Sequence, residues 1–276
     1  VNAGNVENQG FEIGLGWHNQ FTDHFSWSTN FNFAYNQNKI IELVDELPDG
    51  LTLADYGGAK VILKEGGHYG DLFVRQIKRD ENGKPLVSES GAPQLGGEGI
   101  EDLKYVGDMN AKVNMGWTNT FHYKDFTLSF LIDAKVGGKV MSTTEATLDG
   151  WGVSERSGAA RDAGKVVFEG VSFDPQQFYS VVGATNFNSQ YANELYVYDA
   201  TNVRLRELSI GYTFRNLFGI GKNLNASIIG RNLFFFYKDA PMDPDVSAGT
   251  GNGWQGIDMF ALPSSRSVGL NLKLNF

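Results

Sequence analysis

Apolar and polar residues alternate with period two in seven stretches of this chain, the spacing of β-strands whose two faces meet different surroundings. At the end of the chain Arg266, Val268, Leu270, Leu272, Leu274 and Phe276 share one face, and Ser265, Ser267, Gly269, Asn271, Lys273 and Asn275 share the other. In residues 126–136, Phe126, Leu128, Phe130, Ile132, Ala134 and Val136 oppose Thr127, Ser129, Leu131, Asp133 and Lys135. Residues 25–35 set Phe25, Trp27, Phe31, Phe33 and Tyr35 against Ser26, Ser28, Asn30, Asn32 and Ala34. Phe11, Ile13, Leu15 and Trp17 alternate with Glu12, Gly14, Gly16 and His18. Val113, Met115, Trp117, Phe121 and Tyr123 alternate with Lys112, Asn114, Gly116, Thr118 and His122. Leu208, Ile210, Tyr212 and Phe214 alternate with Glu207, Ser209, Gly211 and Thr213, and Leu224, Ala226 and Ile228 begin a less regular strand that runs to Tyr237.

A soluble β-sandwich also alternates, but its strands usually have about five or six residues. Strands of about ten residues match an oblique crossing of a bilayer. Aromatics stand near the ends of the apolar faces, at Phe11 and Trp17, Phe25 and Tyr35, and Tyr212 and Phe214, as in the girdles of a lipid-facing barrel wall. The connections follow a rhythm as well. Residues 19–24, 124–125 and 215–223 are short links; residues 37–111, 137–201 and 238–264 are long ones. Short turns alternating with long loops are the asymmetry of an outer-membrane barrel, with the turns periplasmic and the loops extracellular. The expected fold is therefore all-β, an antiparallel transmembrane barrel. Seven is an odd number, and bacterial single-chain barrels have even ones, so the chain is expected to be part of a larger barrel, ending at Phe276 on the periplasmic side. Glu12, Asp133, Lys135, Glu207, Arg231 and Lys273 are expected to face its lumen.

Composition narrows the function without changing this picture. A net charge of −9 argues against nucleic acid, which requires a basic face. The absence of cysteine excludes disulfides and thiolate metal sites. No run approaches the roughly 18 apolar residues of a membrane-spanning helix, and the mean hydropathy of −0.27 is compatible with barrel strands, in which every second residue is polar. The chain opens at Val1 without an apolar leader, which reads as a mature product or a piece of one.

Arg79 to Pro85 carries an Asn-Gly pair between apolar runs, which predicts a hairpin inside the first long loop. Asp243 and Asp245 flank Pro244; turn formation is favoured over calcium chelation there. Tyr69, Trp151, Tyr179 and Trp254 are candidates for stacking on a sugar or a peptide, and packing within a folded loop is the other use open to each. His18, His24, His68 and His122 are scattered, with no metal-binding pair, and there is no nucleophile elbow or phosphate loop. No catalytic residue, cofactor or metal is expected.

Several stretches resemble the SusC/RagA family of TonB-dependent outer-membrane transporters of Bacteroidetes. They are Asn5-Val6-Glu7-Asn8-Gln9-Gly10-Phe11-Glu12, Phe121 to Phe130, Tyr198 to Tyr212 with its Arg204-Leu205-Arg206-Glu207-Leu208-Ser209 core, Gly230-Arg231-Asn232-Leu233-Phe234, and Leu262 to Ser267. The Arg-Leu-Arg-Glu-Leu-Ser stretch is the most specific. The resemblance spans the chain and implies the C-terminal part of a plugged barrel of about 22 strands. It further implies a SusD-like surface lipoprotein as partner, TonB engaged through an N-terminal part not present here, and import of oligosaccharides or peptides. An uncoupled porin or adhesin is the alternative. A barrel lipase is a further one, for which His18 and His122 show no serine partner in sequence.

Overall fold

A computed structural model describes residues 4–47, 49–185, 191–217, 219 and 221–275. Phe276, assigned above to the last strand, lies outside the described residues, as do Phe218 and Ile220 in the third short link.

The chain begins with a long hairpin, β1 (Gly4–Thr22) and β2 (Phe25–Leu43). A first excursion follows, with β3 (Leu51–Asp55), β4 (Ala59–Leu63), β5 (Asp71–Val74) and β6 (Lys104–Asp108). The second hairpin is β7 (Val113–Tyr123) and β8 (Phe126–Val136). The second excursion contains β9 (Lys139–Ser142), α1 (Thr143–Gly150), α2 (Glu155–Ala163), β10 (Val166–Phe168), β11 (Val171–Phe173), α3 (Pro175–Val182) and β12 (Val197–Asp199). The third hairpin, β13 (Asn202–Leu217) and β14 (Lys222–Lys238), leads to the third excursion with β15 (Ile257–Asp258), and β16 (Ser267–Asn275) ends the chain.

β1, β2, β7, β8, β13, β14 and β16 form one seven-stranded sheet in that order, every neighbouring pair antiparallel. These are the seven strands expected from the alternation, several of them longer. β1 and β2 extend well past the expected 11–17 and 25–35, so the first short link contracts to Asp23 and His24. All short links fall at one end of this wall and all excursions at the other. The sheet is open, with β1 and β16 as its edges.

Register shows that the alternation is continuous across the wall. Glu12 pairs with Ala34, Ala34 with Asn114, Asn114 with Lys135 and Lys135 with Asn202, all on one face. Asp133 lies opposite Arg204, Glu207 opposite Arg231, and Lys273 opposite Asn225 on that same face. Arg204 and Glu207 are three apart, so plain alternation would put them on opposite faces. A bulge between Leu205 and Glu207 inserts the extra residue that returns Glu207 to the polar side. The other face carries Leu128, Ile210, Ile228 and Leu270 in one cross-strand row.

That face is exposed and apolar. The eleven residues of β8 extend about 34 Å, and a tilt of about 40° projects this to about 26 Å, the height of a barrel's apolar band. Aromatics collect where the short links begin: Trp17 packs on Phe21 and Trp27, Phe21 on Phe25, Trp27 on Phe121, and Tyr212 on Phe126 and Phe214. The Trp27 indole donates to Asn119 Oδ1 at 3.0 Å and the Trp117 indole to Thr29 Oγ1 at 2.9 Å, so neither N–H faces hydrocarbon unbonded. Among the described residues no helix is long and apolar enough to cross a membrane.

The three clusters of buried apolar residues found among the described residues lie in the excursions, which fold together as a head on the wall. The main cluster draws Tyr56, Val61 and Leu72 from the first excursion, Met141, Ala146 and Tyr196 from the second and Ile257 from the third. β9 pairs with β12 and also, in parallel, with β15 of the third excursion. β3 to β6 form a separate four-stranded sheet. The expected hairpin turn is present: the Asp80 carboxylate accepts from the Asn82 and Lys84 backbone N–H groups, and Gly83 takes a φ of 78°. Its flanks pair only as isolated bridges, Arg79 with Pro85 and Val87 with Pro93.

The long loops were not expected to contain helices, yet each helix has a local cause. Ser142, Ser154 and Asp174 cap α1, α2 and α3 by accepting from the N–H groups of Glu145, Ser157 and Gln177. Pro175 occupies the first turn of α3, where no N–H is missed. Gly164 ends α2 in the left-handed conformation.

Candidate functional site

Two constellations stand out, one where the third excursion meets the wall and one inside the head. The first is a charged network on the polar face of the wall. Asp133 on β8 accepts from Arg204 Nε and Arg206 Nε on β13, each at 2.8 Å. From the third excursion, Asp245 binds Lys135 Nζ at 2.6 Å and also Arg204, and Asp243 stands 3.6 Å from Arg204 Nη1. Arg204 is buried, with its guanidinium 5.6 Å from the Phe235 ring centre. Burial alone would raise the Asp245 pKa, but Lys135 and Arg204 outweigh it and hold this carboxyl below its usual range. Asp243 also accepts from the Asp245 backbone N–H at 3.0 Å. The two carboxylates thus make a turn and hold cations of the chain itself, and no metal-binding cluster of His, Cys, Asp or Glu occurs among the described residues. The network fastens the third excursion to two wall strands.

The second is a cavity of about 270 Å³ in the head, to which all three excursions contribute. Tyr56 comes from the first. Thr143, Thr147 and Trp151 on or next to α1, with Ala184, Thr185 and Tyr191, come from the second, and Met259 and Phe260 from the third. Tyr191 and Tyr56 are 2% and 3% exposed, whereas Trp151 and Phe260 are 68% and 62% exposed, giving the cavity a buried aromatic floor and an open aromatic rim. Most lining polar hydrogens are spent inside the protein. The Trp151 indole donates to the Thr185 carbonyl at 2.9 Å, Thr143 Oγ1 to the Asp258 carbonyl at 2.7 Å and Thr147 Oγ1 to the Thr143 carbonyl at 2.8 Å. The Tyr56 hydroxyl donates to the Gly253 carbonyl. The Tyr191 hydroxyl is enclosed without a hydrogen bond of good geometry, beside an Asn193 side chain in the same condition. Burial pushes both tyrosine pKa values up, so the cavity carries no charge of its own from them.

Of the four aromatics singled out in the sequence, Trp151 alone lines this cavity. Trp254 packs edge-on against Tyr56, 5.0 Å between ring centres, and so supports its floor from behind. Tyr179 sits on α3 against Phe178, next to the second apolar cluster. Tyr69 is engaged through its backbone, with its carbonyl accepting from Asn110 Nδ2 at 2.6 Å. The structure does not bring the four together. Tyr56, Tyr191 and Phe260 were not singled out, because their meeting depends on three excursions distant in sequence. Lumen charges Glu12, Lys273 and Arg231 do share the polar face, and Arg231 pairs with Glu207 at 2.9 Å.

Comparison with known proteins bears on the chain as a whole. No family model matches the chain. It is 29% identical over 303 residues to the TonB-dependent receptor P3 of Formosa agariphila, a match covering 99% of this chain and 29% of that protein. It is 26% identical over 294 residues to the TonB-dependent receptor SusC of Bacteroides thetaiotaomicron, covering 100% of this chain and 27% of that one. In fold it is similar to the RagAB peptide importer in its closed-closed state, with a TM-score of 0.62, 13% identity, and 99% of this chain against 30% of that chain. The chain therefore spans less than a third of the length of these relatives. The chain is thus similar along its whole length to TonB-dependent receptors, SusC among them, and its seven-stranded antiparallel sheet has the fold of part of such a transporter.

Proposed function

We propose that this chain is the wall section and part of the outer head of an active outer-membrane importer, taking up oligosaccharides or peptides with energy delivered through TonB. The observation that carries the reading is the two-faced sheet: one face exposed and apolar, the other lined by Asp133, Lys135, Arg204, Glu207, Arg231 and Lys273. Such a wall separates hydrocarbon from an aqueous interior. The head lies at the end of the wall opposite the short links, and the contrast of long excursions with short links supports reading the head as extracellular and the short links as periplasmic. There it meets a SusD-like surface lipoprotein. Residues 37–111, 137–201 and 238–264 are the extracellular loops on this reading, and the plug and TonB contact belong to parts of the receptor outside these residues.

Uptake of labelled oligosaccharides and peptides by cells with and without the receptor tests this, in backgrounds with intact and deleted TonB. Loss of uptake in both deletions is the expected outcome. Uptake that survives without TonB would make the barrel a passive pore.

A further inference from the structure

We infer that the head cavity is an anchor subsite for one apolar or aromatic side chain of a peptide cargo, and is not a sugar site. This deepens the import reading and rests on it. The floor is formed by the buried Tyr56 and Tyr191, and the mouth is flanked by the exposed rings of Trp151 and Phe260. A volume of about 270 Å³ exceeds the roughly 150 Å³ in which an apolar cavity takes up benzene, and it falls short of the roughly 300–1,000 Å³ of sites for larger ligands. It accommodates one side chain or one ring at a time, with the rest of a longer ligand left outside the mouth.

Chemistry separates the two cargo classes. A sugar ring brings hydroxyls on most of its carbons, and each must exchange water for a protein partner. Here the Trp151 N–H and the Thr143, Thr147 and Tyr56 hydroxyl hydrogens are already donated to the Thr185, Asp258, Thr143 and Gly253 carbonyls. A sugar entering would meet mostly carbon and, apart from the unbonded Tyr191 hydroxyl, few groups able to replace the hydrogen bonds its many hydroxyls make with water. A Phe or Leu side chain would lose none, and it would bury its surface against four rings with a gain proportional to the apolar area covered. The peptide backbone stays at the mouth, where solvent satisfies it.

The test uses the intact receptor that contains this chain, purified in detergent, and calorimetric binding. The probes are a short peptide of Gly, Ser and Asp carrying one Phe, the same peptide with Ala in that place, and a linear glucan oligosaccharide. Receptor variants are Trp151→Ala, which removes one side of the mouth, and Thr147→Trp, which fills the cavity from α1. Val153→Ala, on an exposed residue outside the cavity, is the control. The unmodified receptor and V153A should bind the Phe peptide at least tenfold more tightly than the Ala peptide. In W151A and T147W that difference should collapse to less than about threefold, with the weaker Ala-peptide binding itself unchanged, which also shows that both variants fold. Equal binding of the two peptides by the unmodified receptor would overturn the inference, as would a Phe preference that survives in both cavity variants. So would W151A or T147W weakening the glucan oligosaccharide alone. If the unmodified receptor binds none of the probes and its cells import neither class, the import reading itself fails, which is a different result from any of these.

Discussion

Leu270 and Asn271 are neighbours on β16, and register places Leu270 beside Ile228 and Asn271 beside Ser227. One therefore stands on the apolar face and the other on the polar face, although both are exposed in this sheet. In a bilayer the same substitution should have opposite consequences at the two positions. Leu270→Arg forces a guanidinium into hydrocarbon and should destabilise the intact receptor by about 2–4 kcal/mol if read by urea unfolding in lipid vesicles. Asn271→Arg adds a cation to an aqueous surface and should change stability by no more than about 0.5 kcal/mol. Similar costs at the two positions would mean that the faces do not meet different media. The aromatic residues behave consistently with this division, since Trp27 and Trp117 reach the apolar face with their N–H groups already bonded to Asn119 and Thr29.

The element that ties wall to head is the third excursion, held by Asp243 and Asp245 against Arg204, Arg206 and Lys135. Asp245→Asn leaves Arg204 paired with Asp133 and, at 3.6 Å, with Asp243, while Lys135 loses its carboxylate. Opening of residues 239–266 should become easier by about 2 kcal/mol, less than the roughly 3–5 kcal/mol for orphaning a buried charge outright. Hydrogen exchange should show faster amides in that excursion and unchanged ones in β13 and β14. The same contact has a pH dependence of determined sign. The Asp245 pKa is lowered in the fold, so its stabilisation is complete above the unfolded value of about 3.9 and is lost as pH falls below that towards the depressed folded value. Exchange in residues 239–266 should therefore accelerate below about pH 4 in the unmodified chain, and D245N should remove that acceleration.

Elements are legible in the sequence where the alternation is regular and obscure where it is not. β8 was located to the residue because Phe126 to Val136 keeps an unbroken period of two between a two-residue turn and a Gly-Gly pair. The extension of β1 back to Gly4 is not legible, since Asn5, Glu7, Asn8 and Gln9 there show no apolar partner face. α2 and α3 carried caps that could have been read, namely Ser154 with Gly164 and Asp174 with Pro175, but neither has an apolar periodicity long enough to draw attention. The cavity was the least legible feature. Trp151 was visible as an exposed loop aromatic, whereas Tyr56, Tyr191 and Phe260 acquire their meaning only when β9 recruits β12 and β15 and draws the excursions together.

At the scale of the molecule the sheet has two edges, β1 and β16, that are not hydrogen-bonded to each other. Unpaired backbone N–H and C=O groups cost several kcal/mol each in hydrocarbon, so both edges require strand neighbours in a membrane. The account expects those neighbours to lie outside these 276 residues. Engineered cysteines on β1 and β16 should then fail to cross-link to each other in the intact receptor. The most direct measurement of the central claim, a wall with lipid on one side and water on the other, is a spin-label scan of β8 in that receptor reconstituted in bilayers. The chain contains no cysteine, so single labels can be placed within it one at a time from Phe126 to Val136. Labels at Phe126, Leu128, Phe130 and Ile132 should collide preferentially with oxygen, and those at Thr127, Ser129 and Asp133 with a water-soluble nickel complex, in strict alternation. Uniform access along β8, or the opposite phase of alternation, would contradict the account.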